Sequence, residues 1–365
     1  MTWYLINIFA IVLAWIAKIK TDSDLRDKNG VPLALSIRKK RTCIVGTVNW
    51  VLLSGFRAWD VGADTLAYKI YRFDTTMALS WKTVFLSIPG RFVSGTRIKD
   101  PAYTLLEKIF QVFSSSYQLW LVVIAVIFIV PMGIWIYKES NNPCVSFILF
   151  STLFYSFFAI TGHRQTIATA IVVWGGLVFI NKRKLIPYLL VCAAAFLVHA
   201  SAICFVPFYW ISKIKINKVT IIAYWIAIIA SFAMRNSIVN TIHSDFGYEY
   251  FSQLESARFG AFAILLFFVA IVISFFHKRI EERGGALALM SMNALYTACF
   301  FSPLLLVNQS YMRIVQYYSI FLLFLLPEIQ HIFKRKDVFI YNLSICAIMI
   351  LLLIINRPTY HFFFI

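Results

Sequence analysis

The sequence predicts an all-α polytopic membrane protein with about twelve transmembrane helices, and three observations carry that expectation. Hydrophobic residues fill 61% of the 365 positions and charged residues only 14%, whereas a soluble domain is nearly half apolar and about a quarter charged. Segments 3–17, 116–137, 258–276, 286–306, 314–330 and 338–356 hold almost no charge, and each approaches the ~20 residues that cross ~30 Å of hydrocarbon. These runs are continuous, unlike the alternating strands of a membrane β-barrel.

The formal net charge of +18 lies in short Lys and Arg runs between apolar segments. Such runs set topology and lack the aromatic and glycine spacing of a nucleic-acid surface, so no nucleic acid is expected. Six cysteines sit in or beside apolar segments without CxxC spacing, which fits packing. The first segment has no basic leader and no A-x-A site, so it is expected to stay as a helix. HExxH, Cys/His clusters, GxSxG and phosphate loops are missing from the sequence. No metal or cofactor is therefore expected, and a serine hydrolase or ATPase is disfavoured.

Taken in order, helix 1 is followed by a loop that ends in the basic run 38–41. The positive-inside rule places this loop in the cytoplasm and the N-terminus outside. Helix 2, about 42–55, delivers Arg57 to the outer face, where a long excursion, 57–115, carries short interfacial helices. Within it Asp100-Pro101 reads as an N-cap followed by proline at the first helical position. The helix from 102 to 113 has apolar residues at 105, 106, 109, 110 and 113, placing it along the membrane surface or against the bundle.

Helix 3 returns inward, and helix 4, about 144–161, comes out to His163, Arg164 and Gln165. Helix 5 ends at the basic turn 181–184. The stretch 184–218 is one long helix or two short ones. Two helices meeting at His199 keep both basic flanks inside and are preferred. Helix 8, about 219–234, leads to a second outer loop, 235–257, and helices 9 to 12 alternate around the basic turns 277–285 and 331–337. No fixed-period repeat is present, and residues 1–365 read as a single integral-membrane domain.

This topology gathers Arg57, Asp60, Asp64, His163, Arg164, His199 and Arg313 at one face. A lone arginine at a helix end often only snorkels to headgroups. Here Arg164 is followed by Gln165 and Thr166, and Arg313 sits among Gln309, Gln316, Tyr317 and Tyr318, which suits an anionic ligand. Guanidinium groups grip phosphate through paired hydrogen bonds, so Arg57, Arg164 and Arg313 are candidate pyrophosphate ligands. Asp64, or failing that His199, is the candidate general base. Gln165, Tyr68, Tyr317 and Asp60 are secondary substrate-binding candidates. Asp60 and Asp64 also read as caps of the short helix that follows. Gly62 supplies a turn that a β-carbon resists, and His163 is the weakest member.

The motif FRAWDVGADTLAY, with KDPAYTLLEKIF, HRQTIATAI, LVHASAICFVPFYWI and YMRIVQYYSIFLLFLLPEI, resembles the EpsG-like branch of the Wzy-type bacterial O-antigen and exopolysaccharide polymerases. The resemblance runs from about 51 to 327. It departs at Ala63, where the family usually has threonine between glycine and aspartate. It implies a GT-C-like membrane glycosyltransferase that needs no metal. Its expected substrates are undecaprenyl-pyrophosphate-linked oligosaccharide units, joined block by block at the periplasmic face of the bacterial inner membrane. Arg57, Asp64, Arg164, His199 and Arg313 are the positions it carries over. A chain-length regulator and membrane lipids are expected partners. A lipid-linked oligosaccharide flippase, or a ligase using the same donor, is the alternative. Twelve helices and a basic interior suit a flippase, but a carrier is expected to place charges at the midplane or in broken, repeat-related helices, whereas this chain concentrates them at one face.

Overall fold

The structure, a computed structural model, describes residues 1–20, 25–27, 30–90, 99–246 and 259–364. These are helical throughout, with two isolated β-bridges and no strand among the described residues. In hydrocarbon an unpaired peptide group is so unfavourable that the chain closes its hydrogen bonds within each helix.

Helices α1 (Thr2–Ile16) and α2 (Leu33–Gly55) are followed by the short α3 (Thr65–Tyr68), α4 (Asp74–Ala78) and α5 (Trp81–Gly90). Next come α6 (Pro101–Phe113), α7 (Tyr117–Glu139), α8 (Pro143–Leu149), α9 (His163–Thr169), α10 (Gly176–Asn181) and α11 (Leu185–Val198). The chain continues through α12 (Phe208–Ile211), α13 (Lys218–Phe246), α14 (Ala261–Phe301), α15 (Met312–Ser319), α16 (Leu322–Ile329) and α17 (Val338–Asn356). The described residues fall into two compact units, Met1–Ile203 with Asn342–Ile365, and Cys204–Tyr341.

Among the described residues five helices are long and apolar enough to cross a membrane, or six if the pair Gln309–Ser319 and Leu322–Ile332, bent by 57°, counts as one span. The sequence expectation of about twelve also counted shorter pieces. Thr2–Ile16, Pro143–Phe154, Leu185–Val198 and Ala200–Ile211 are apolar but fall short of the required length. The helix α2 starts nine residues before the expected boundary and takes the basic run 38–41 into its own turns. The segments read as helices 9 and 10 form α14, broken at Gly285 (φ 59°, ψ −145°). The expected outer loop 235–257 is helical to Phe246, and its remainder lies outside the described residues, as does 91–98 of the first excursion.

In the first unit α2 lies along α7. Contact is close because Gly133 faces Thr47: a β-carbon there would stand 2.0 Å from the threonine oxygen. Small residues let membrane helices approach in this way. Trp50, fully buried, donates to Ser151 Oγ at 3.0 Å. In the second unit Tyr224 stacks on Tyr296 at 4.6 Å and donates to Asn293 Oδ1 at 2.8 Å, and Phe205 packs among Phe208, Tyr317, Tyr318 and Phe321.

The helix α6 turns its polar side inward. Tyr103, Thr104 and Glu107 are buried, while Ile109, Val112 and Phe113 are exposed. Its apolar stripe therefore faces outward, as on an interfacial helix. Glu107 is fully buried and accepts a hydrogen bond from Thr76 Oγ1 at 3.1 Å, joining α6 to α4. Burial pushes its carboxyl up from 4.5 to about 7, with Arg72 opposing. Between those values the folded protein holds a proton that the unfolded chain releases. The associated stability is full below about pH 4.5 and is lost as pH rises towards 7. Thermal unfolding in detergent is expected to show declining stability across that window, and Glu107→Gln to flatten the decline.

The turn into α3 depends on Gly62 at φ 100°. A β-carbon there would meet Ile160 O and Thr65 Oγ1, both at 2.8 Å. Positive φ on a residue with a side chain adds strain of about 1–3 kcal/mol. Gly62→Ala is therefore expected to lower thermal stability by at least that amount, read from the unfolding midpoint.

Candidate functional site

The Arg57 side chain leaves α2 just past its last turn and turns inward, only 2% exposed. Nη1 donates to Ser54 O, and Nη2 lies 3.0 Å from His163 Nε2. An arginine is always a donor, so His163 Nε2 accepts and the ring carries its proton on Nδ1, which faces Tyr117 OH at 3.4 Å. Tyr117 in turn donates to Thr65 O at 2.7 Å. Among the described residues no carboxylate pairs with Arg57 and its Nε has no partner. Burial draws the guanidinium down from its ordinary value to about 10, still charged at neutral pH.

From His163 a polar chain continues through Tyr68, whose ring stacks on the imidazole at 4.4 Å and 24°. Tyr68 OH accepts from Arg164 Nε at 2.9 Å, and the Arg164 guanidinium lies 5.3 Å over the same ring. Arg164 Nη1 pairs with Asp100 Oδ2. The same oxygen stands 4.0 Å from His199 Nδ1. Four elements, α2, α3, α9 and α11, together with the residue before α6, thus bring two arginines, two histidines, a tyrosine and an aspartate into one chain of contacts.

The backbone makes this convergence. Three π-helical turns border the site: Lys69–Phe73 after Tyr68, Ser156–Thr161 before His163, and Ala170–Gly175 after α9. Such wide turns let a helix re-aim its side chains and are frequent at functional sites. At His199 the backbone is extended (φ −157°, ψ 119°), which ends α11 and starts a 3₁₀ turn, Ala200–Phe205. The helix break expected at His199 is present.

The sequence candidates divide clearly. Arg57, Tyr68, Arg164 and His199 are brought together, with Gln165 buried beside Arg164 on α9. Asp64 occupies the position before α3, yet its side chain makes no cap bond and none to any described residue. The capping alternative for Asp64 is therefore not what the geometry shows. Asp60 is exposed and pairs with His361 at 2.9 Å, so it neither caps α3 nor touches the arginines. Arg313, half-buried, and Tyr317, fully buried, belong to α15 in the second unit. Asp100 caps nothing: its side chain accepts no bond from α6. Its carboxylate pairs with Arg164 instead and lies 4.0 Å from His199 Nδ1, a placement concealed by the ordinary Asp-Pro helix start. His163, the weakest candidate in the sequence, is the link between Arg57 and Tyr68. Tyr117 had no distinguishing signal.

A segment near the C-terminus completes the surroundings. Residue 362 forms an antiparallel bridge with Arg57, Ala58 N donates to His361 O at 3.1 Å, and Phe363 N donates to Phe56 O at 3.1 Å. Tyr360 OH donates to Leu53 O at 2.8 Å, and Phe362 packs against Trp3 at 4.9 Å. The turn that carries Arg57 is pinned from α7 through Gln118, which donates to Gly55 O and Arg57 O, and from this strap, which α1 backs through Trp3. Among the described residues no group of three or more His, Cys, Asp or Glu is placed to hold a metal ion.

No curated protein and no solved structure matches the chain. The EpsG family matches residues 41–364, which takes in the whole polar chain from Arg57 to His199 and the strap that returns to it. A match over so much of the sequence assigns the protein: it belongs to the EpsG family.

Proposed function

We propose that the chain is an O-antigen or exopolysaccharide polymerase that transfers a growing glycan from undecaprenyl pyrophosphate onto a lipid-linked repeat unit. It would act at the outer face of the bacterial inner membrane, as a GT-C-like enzyme with about twelve crossings once the shorter apolar helices, α2 and both halves of α14 are counted. The observation that carries this reading is Arg57, a buried guanidinium held by neutral acceptors and paired with no carboxylate among the described residues. A charge in that setting is strongly unfavourable unless an anion meets it. Arg164, one tyrosine away, offers a second guanidinium, and two such forks suit a pyrophosphate. Membership of the EpsG family supports a polysaccharide product.

In this mechanism the acceptor hydroxyl oxygen bonds to the anomeric carbon as the bond to the lipid pyrophosphate breaks. The electron pair leaves on the phosphate oxygen, and Arg57 and Arg164 meet the charge that develops there. Asp64 or His199 takes the hydroxyl proton. The lipid pyrophosphate is already an activated donor, so the step calls for no nucleotide sugar and no metal. A chain-length regulator is the proposed protein partner.

Arg57→Ala or Arg164→Ala is expected to slow polymerisation by about 10²–10³-fold, the effect of removing one preorganised charge-stabilising group. On a glycan gel the long ladder should vanish while single repeat units remain at the outer face. A normal ladder from well-expressed variant protein overturns the reading. Loss of outer-face units points to a flippase, and inertness until another acceptor is added points to a ligase. For Arg313, on α15, the proposed role as an anion ligand is tested by the same substitution. Tyr68→Phe keeps the ring but removes the oxygen that accepts from Arg164 Nε. It should lower the rate about five- to tenfold, the effect of one hydrogen bond of ~1 kcal/mol, in a reconstituted assay with a defined lipid-linked unit.

A further inference from the structure

Asp100 is 2% exposed and offers one oxygen to two side chains from two helices. Arg164, on α9, is in close ion-pair contact with Oδ2. His199, at the end of α11, stands off at 4.0 Å from it, about an ångström beyond hydrogen-bond length. Both belong to the sequence-derived site, and Asp100 is the group between them. We propose that Asp100 is a positioning residue that arms His199 as the general base when a pyrophosphate takes over Arg164. The identity of that trigger rests on the polymerase reading; the coupling of Arg164 to His199 through one carboxylate does not.

The physical basis is competition for a charge. A guanidinium satisfied by phosphate oxygens needs its carboxylate less, and the Asp100 oxygen it releases already lies 4.0 Å from His199 Nδ1. Closing that gap fixes the proton on Nδ1 and leaves the Nε2 lone pair for chemistry. The acceptor hydroxyl then loses its proton to Nε2 as its oxygen bonds to the anomeric carbon and the electron pair of the broken bond leaves on the pyrophosphate. The imidazolium so formed is stabilised by Asp100.

The elements packed on α11 are α6, α9, the turn Ala170–Gly175 and α10. The last two carry no charged residue; α9 brings His163 and Arg164, and α6 brings Tyr103, Glu107 and Lys108 with Asp100 before it. On α11 itself the titratable groups are Tyr188 and Cys192.

The test follows His199 by ¹⁵N-histidine NMR of the full chain in nanodiscs, with His199→Gln for assignment and inorganic pyrophosphate as probe. In Arg164→Gln the His199 titration midpoint should move up by about one pH unit, the scale set by a newly available carboxylate. In Arg164→Gln with Asp100→Asn it should not. Wild type with pyrophosphate should repeat the single-variant shift, Asp100→Glu should keep the response, and Asp100→Asn should lose it. An equal shift in the single and double variants overturns the coupling. Silence towards pyrophosphate with the variant shifts intact overturns pyrophosphate as the trigger and counts against the polymerase reading.

Discussion

A buried guanidinium that pairs with no carboxylate among the described residues is the constraint around which the first unit is built. Arg57 could be neutralised by an acid, as Arg164 is by Asp100, yet its bonds run to a carbonyl and an imidazole. Neutral acceptors fix the direction of the fork without cancelling its field. The neighbouring contacts follow from keeping that fork in place: His163 must present Nε2, so Nδ1 must hold the proton, so Tyr117 must stand where it does. A site of this kind is ordered by hydrogen-bond direction more than by charge pairing, and its field stays available in a low-dielectric setting.

Regular helices could not make this arrangement. An α-helix in hydrocarbon keeps its peptide groups to itself and presents side chains at a fixed pitch. The departures gather where the polar residues lie: Gly62 with positive φ, π-helical turns on either side of α9, and the extended backbone at His199. Irregular backbone in a membrane protein is tolerated where protein surrounds it, and the burial of Thr65, His163 and Thr166 fits that condition.

The helical class and the grouping of Arg57, His163, Arg164 and His199 were legible in the sequence, because hydropathy and charge asymmetry report directly on the membrane. Asp100 was not, because its position before Pro101 has a sufficient local explanation, and only the missing cap bond reveals that its carboxylate works elsewhere. His163 was undervalued because one histidine carries little pattern; its meaning comes from the ring on one side and the arginine on the other. The polarity of α6 was read from its apolar stripe, yet the buried face is the one with Thr104 and Glu107. In a membrane protein the apolar side of a helix can face lipid, so periodicity gives the stripe and not its direction. The number of span-length helices differed because several apolar runs are interrupted, and composition alone does not locate a kink.

The strap near the C-terminus carries a consequence for how this protein comes to exist. Tyr360 meets Leu53 across 307 positions of chain, and residue 362 bridges Arg57. The turn that aims Arg57 therefore takes one of its supports from residues far along the chain. Loop closure over such a separation is entropically unfavourable and slow relative to local helix formation. The Arg57 end of the site is thereby tied to a long-range contact, so that its turn is fastened only once the intervening segments have folded.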